Sequence, residues 1–107
     1  MVRASVRLHI PPDKRDEVLK IFSQLARKIR HFRECLECHV YRDANCDEGI
    51  ILDQLWSDEK SMIDHLKSPE FRNVLLVSEL STVPPEFWFE GVQNRSGIET
   101  IVKARNP

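Results

Sequence analysis

The chain lacks an excess of charge of either sign. Over 107 residues, 16 basic side chains stand against 17 acidic ones, a net charge of −1. A dedicated nucleic-acid binder carries a basic surplus, so that class is set aside. Disorder goes with charge imbalance and little apolar content, and hydrophobic residues make up 41% of the chain, enough for a core. No apolar run approaches the roughly 18 residues that span a bilayer, so no membrane partner is expected. The N-terminal MVRASVRLHI interleaves charge with apolar residues, unlike an export signal, which points to a cytoplasmic protein. Cysteine is sparse: three is an odd number and too few for a disulfide scaffold. Repeats and low-complexity stretches are lacking too, and the length suits one domain.

What is present is periodicity. Val2, Ala4, Val6, Leu8 and Ile10 alternate with Arg3, Ser5, Arg7 and His9, the period of a half-buried strand. Pro11 and Pro12 end it, and Asp13 is a candidate N-cap. Val18, Phe22, Leu25, Ile29 and Phe32 then recur every three or four residues, predicting an amphipathic helix over about 14–31. Its outer face is basic, but Asp16 and Glu17 are interleaved, so it reads as a solvated face. Leu36, Cys38 and Val40 alternate with Cys35, Glu37, His39 and Tyr41, and a polar turn leads to a third strand at 50–56, giving an antiparallel hairpin. Ser57 or Asp58 caps a short helix holding Met62, Ile63, His65 and Leu66. Ser68-Pro69-Glu70 starts another, with Phe71, Val74, Leu75 and Ser78 inward. After Pro84 and Pro85, residues 87–92 are β-prone and 98–104 read as a last strand. The order is the ferredoxin-like β-α-β-β-α-β, an α+β fold with an antiparallel sheet and helices on one face. It forms a single domain over 1–107, with a core at about 2–93 and the C-terminal strand at about 97–105.

Cys35-Leu36-Glu37-Cys38-His39 matches the C-x-x-C-H haem-attachment pattern. In a regular strand, two residues three apart point to opposite faces, so one haem or one metal ion cannot take both thiols. No metal site is expected, and Cys38 reads as a small core residue with Cys35 on the other side of the sheet.

The sheet face without helices carries Arg7 and His9 from the first strand and Glu37, His39 and Tyr41 from the second. Arg7 and Glu37 would pair if those strands were neighbours. On the third strand, Ile50, Leu52, Gln54 and Trp56 share one side, and Ile51, Asp53 and Leu55 the other. Both sets are largely apolar, so periodicity does not say which is core. A strand buried on both sides exceeds what one small monomer covers. The expectation is a homodimer with two sheets facing each other around a cavity for a flat, apolar small molecule.

The runs SVRLHIPPDKRDEVLKIFSQL, CLECHVYRD and ILDQLWSDEKSMIDHLKSPEFRNVL resemble the antibiotic biosynthesis monooxygenase family over about residues 6–80. The most specific part is Trp56, then His65 nine residues on, then Ser68-Pro69. The resemblance implies a dimeric α+β barrel and cofactor-independent oxidation of a quinol- or anthrone-like aromatic by O2. It makes His65, Trp56 and His39 catalytic candidates, with Arg7, His9, Tyr41, Leu52 and Gln54 as substrate contacts. An imidazole can take a phenolic proton near neutral pH, an arginine can hold the phenolate, and an indole can stack on the ring. The chain departs from the family at Gln54, where a glutamate is common, and at Arg33-Glu34, where Pro-Gly is common, and it lacks the first-strand asparagine of the related haem-degrading members. The alternative is a barrel without oxygenase activity that binds a small molecule or haem, or isomerises a small metabolite.

Overall fold

The computed structural model describes residues 1–106. The chain runs β1 (Val2–His9), a 3-10 turn (Pro12–Lys14), α1 (Arg15–Ile29), β2 (Cys35–Arg42), β3 (Gly49–Trp56), α2 (Glu59–Leu66), α3 (Pro69–Ser78), β4 (Glu86–Gly91) and α4 (Ile98–Arg105). The four strands form one antiparallel sheet in the order β2-β3-β1-β4. This is the expected ferredoxin-like plan, with the second helix divided at Ser68-Pro69 and a helix added at the end.

Register settles which side of β3 is core. Ala4, Val6 and Leu8 of β1 face Gln54, Leu52 and Ile50 across the ladder, and all six are buried. Directly opposed residues share a face, so β3 turns Ile50, Leu52, Gln54 and Trp56 toward the helices. α1 lays Val18, Phe22, Leu25, Ala26 and Ile29 on that face, the stripe its period demands. Val74 and Val77 of α3 complete the core. Leu75, expected inward, is exposed, because α3 turns the Phe71-Val74-Val77-Ser78 line to the core.

The helix caps follow local chemistry. Asp58 accepts the Ser61 N–H at 2.8 Å, and Ser68 accepts the Phe71 N–H at 3.3 Å with Pro69 in the first turn. Asp13 caps nothing, since it lies inside the 3-10 turn that precedes α1. Gly49 has a steric role in the β2–β3 turn, where a Cβ would stand 2.8 Å from Asp43 Cβ.

Three further expectations are overturned. Residues 98–104 form helix α4: Ile98, Ile101 and Val102 share a helical stripe, Glu99 accepts the Gly97 N–H at 2.7 Å, and Lys103 and Arg105 occupy the last turn. Cys35 and Cys38 lie on the same face. The β2–β3 register slips between Cys35 and Glu37, and this bulge sets Cys35 opposite Trp56 and Cys38 opposite Gln54. Arg7 does not meet Glu37, because β3 lies between β1 and β2. Arg7 pairs with Asp43 at 2.8 Å, and Glu37 with Arg95 at 2.7 Å.

Candidate functional site

β3 ends at Trp56, and α2 brings His65 onto it. The rings stack with centroids 4.8 Å apart and planes 29° from parallel. Phe32, just past α1, meets the His65 ring edge-on at 5.7 Å, and Phe71 of α3 does so at 5.6 Å. Such offset and edge contacts are the favoured geometries of aromatic rings. Three rings, from just past α1, the end of β3 and the start of α3, thus surround one imidazole.

The polar atoms of this cluster are few. Trp56 Nε1–H donates to Gln54 Oε1 at 3.0 Å, with both side chains buried. His65 Nδ1 lies 3.4 Å from Ser68 Oγ, the hydroxyl that caps α3. His65 Nε2 has no partner among the described residues, although the residue is only 3% exposed. Burial pushes the imidazole pKa down to about 4, opposed by the nearby Glu70 carboxylate. His65 is therefore neutral at physiological pH.

A cavity of about 220 Å³ opens against this cluster, walled by Phe32, Trp56 and His65 and rimmed by Arg33, Glu34, Ser61, Asp64 and Ser68. Its walls are mainly apolar. At the rim, Ser57 Oγ donates to the Glu34 carboxylate, tying the start of β2 to the end of β3. Among the described residues, no three His, Cys, Asp or Glu side chains cluster in a way that would hold a metal ion.

The expected site residues divide between two faces of the sheet. Trp56, His65 and Gln54 come together under the helices. Leu52 is on the same face but fully buried in the core, away from the cavity wall. Arg7, His9, His39 and Tyr41 are on the open face, where the sheet separates them from the cavity. There Arg7 is engaged by Asp43, His9 Nδ1 lies 3.8 Å from Cys46 Sγ, and the His39 and Tyr41 rings are 6.0 Å apart. Arg3 pairs with Asp53, which also accepts from Ser5 Oγ at 2.7 Å. Sequence reasoning did not assign Phe32 or Ser68 to the site. Phe32 extends the α1 stripe beyond the helix, and Ser68 stands out as a cap and as the end of the Trp56–His65–Ser68-Pro69 pattern, without a role in the site.

Comparison with known proteins agrees with this layout. The family model for antibiotic biosynthesis monooxygenase matches residues 1–75. Among solved structures, one described as an antibiotic biosynthesis monooxygenase superposes with a TM-score of 0.77 at 20% identity, covering 88% of this chain and 100% of that one. A conserved protein from Methanosarcina mazei gives 0.78 at 22% identity, over 86% and 92% of the two chains. A protein from Mycobacterium tuberculosis gives 0.78 at 20% identity, over 90% and 98%. At these identities the structural matches speak to the fold. No curated protein matches the sequence.

Proposed function

The chain belongs to the antibiotic biosynthesis monooxygenase family, and from that premise we propose that it oxidises a quinol-like aromatic with O2 at the Trp56–His65 cavity, using neither flavin nor metal. The observation that carries this reading is the buried, neutral imidazole of His65, which borders the cavity and whose Nε2 has no partner among the described residues. A buried polar atom without a partner is costly, and such atoms concentrate at functional sites. Here the missing partner is a substrate hydroxyl.

The chemistry needs a group that takes a phenolic proton in a dry site. Ser68 Oγ accepting from Nδ1–H leaves the Nε2 lone pair free to receive that proton. A pKa of about 4 makes the empty site a weak base, but a phenolate beside the ring stabilises the imidazolium and raises it. The phenolate is then the electron donor to O2. One oxygen atom enters the ring and the other leaves as water, with the substrate supplying all four electrons. Trp56 offers its ring face, since its N–H is committed to Gln54. Gln54, fully buried and off the cavity wall, holds the Trp56 indole in place through that hydrogen bond. Arg7 and His39 act elsewhere, on the open face.

The cavity sets a size limit. An engineered apolar cavity of about 150 Å³ holds benzene, so about 220 Å³ suits one or two rings better than a three-ring anthrone. A second reading draws on Gln54, which cannot exchange a proton as a glutamate can: a barrel that binds or isomerises a small metabolite without oxygenation. The reading includes a cytoplasmic homodimer with the two open sheet faces together. Among the described residues, no helix is long and apolar enough to cross a membrane.

The test is O2 consumption with reduced one- and two-ring quinones, in the presence of chelator and without flavin. Uptake above autoxidation that falls sharply in His65→Gln supports the oxygenase. Equal rates in wild type and variant, with the folded state intact, favour the second reading.

A further inference from the structure

Two parts of the chain are left uncovered, and they complement each other. β4 is an edge strand, and among the described residues β1 is the one element it packs against extensively. α1 lies over β2, and α2 over β1 and β3, so the helical layer stops short of β4. Phe87 and Phe89 pair with Val6 and Ala4 and so point to the helix side, yet they remain 39% and 47% exposed. α4 has the opposite need. Ile98, Ile101 and Val102 form one stripe, exposed by 69%, 54% and 54%, and no residue of this helix is buried. The radius of gyration is 15.5 Å, against about 13 Å for a compact chain of this length. Helices shorter than roughly 12 residues are marginal alone in water, so α4 needs a surface.

Its own β4 is out of reach. Val92 N–H bonds Met1 O at the end of β4, and Arg95 then pairs with Glu37 at 2.7 Å on the open face of β2, the far edge of the sheet. The linker therefore crosses the open face and carries α4 away from Phe87 and Phe89. A second copy supplies the missing surface. When two such sheets face each other about a two-fold axis along the strands, β2 of one copy lies over β4 of the other. A linker leaving over β2 arrives at the free edge of the partner's β4, and round that edge α4 reaches the helix side where Phe87 and Phe89 lie.

We infer that α4 is an exchanged arm: in a pair of copies, each C-terminal helix covers Phe87 and Phe89 of the other. This goes beyond the monooxygenase reading and rests on the face-to-face dimer included in it. Ile101→Cys and Phe89→Cys, made in separate chains, are mixed, allowed to exchange and mildly oxidised. Wild type, with Cys35 and Cys46 partly exposed, sets the background. The expected result is a covalent heterodimer on a non-reducing gel, well above that background. If sedimentation shows a dimer but the mixed pair does not cross-link, the arm exchange is wrong and the dimer stands. If sedimentation shows a folded monomer at micromolar concentration, both fall. Independently, Ile101→Glu with Val102→Glu is expected to weaken the dimer at least about ten-fold, and an unchanged dimer constant overturns the inference.

Discussion

His65 makes folding stability depend on pH in a window set by its burial. The imidazole protonates near 6.5 when unfolded and near 4 in the folded chain. Between these values the unfolded state binds the extra proton, so stability is full above about pH 6.5 and declines as pH falls toward 4. Below that both states are protonated and the loss is complete. The full difference is 2.5 pKa units (6.5 − 4), or about 3 kcal/mol at about 1.4 kcal/mol per unit. At pH 5 the linkage relation leaves a loss of about 2 kcal/mol. For a domain of this size that lowers Tm by roughly 8–16 °C. The carboxylates of Glu37, Asp43, Asp58 and Glu99, held low by hydrogen bonds and nearby cations, contribute stability that is lost only at lower pH. They do so equally in wild type and in His65→Gln. Urea denaturation of both proteins from pH 8 to 4.5 isolates the imidazole as the difference between their slopes. Parallel curves for the two proteins between pH 6.5 and 5 would refute the assignment of a buried, neutral His65.

Further predictions follow from the cap and the turn around this core. Ser68→Ala removes the α3 cap and the partner of His65 Nδ1 together. It should cost about 1 kcal/mol in denaturant unfolding and, by freeing the tautomer, alter the His65 ring nitrogen shifts, whereas Ser68→Thr should preserve both. Gly49→Ala forces a Cβ to within 2.8 Å of Asp43 Cβ. It should destabilise by about 1–3 kcal/mol, and a neutral result in the same assay would contradict the packing described for the turn. Burial pushes the Cys38 thiol up to about 12, so alkylation of the native protein at pH 8 should spare Cys38 and mark Cys46 first.

Much of the fold was legible because the strands and helices carry clean periods. Val2 to Ile10 alternate and Val18 to Ile29 recur at helical spacing, and the structure repeats both. Ser68-Pro69 marked a helix start for a local chemical reason that tertiary packing does not alter. The sidedness of β3 was not legible, since Ile50 and Leu52 are matched by Ile51 and Leu55. Only the register against Ala4, Val6 and Leu8 decides it, and pairing across forty or more residues leaves no local trace. That hidden choice governs the site. It puts Trp56 and Gln54 beneath α2 with His65, and leaves Arg7, His9, His39 and Tyr41 on the opposite face. The bulge that turns Cys35 and Cys38 to one side is equally invisible, because one extra residue at Leu36 does not change the alternation around it. Residues 98–104 fit either period, with Ile98, Thr100 and Val102 alternating and Ile98, Ile101 and Val102 on one helical face. The structure adopts the helix.

The claim that His65 and Trp56 frame an oxygenase site is tested most directly by isotope. The protein is incubated with a reduced two-ring quinone under 18O2, with chelator present, and the product is analysed by mass spectrometry. The account requires one labelled oxygen per product molecule and one in water, in wild type but not in His65→Gln. Oxidised quinone without label, formed equally by both proteins, would contradict it.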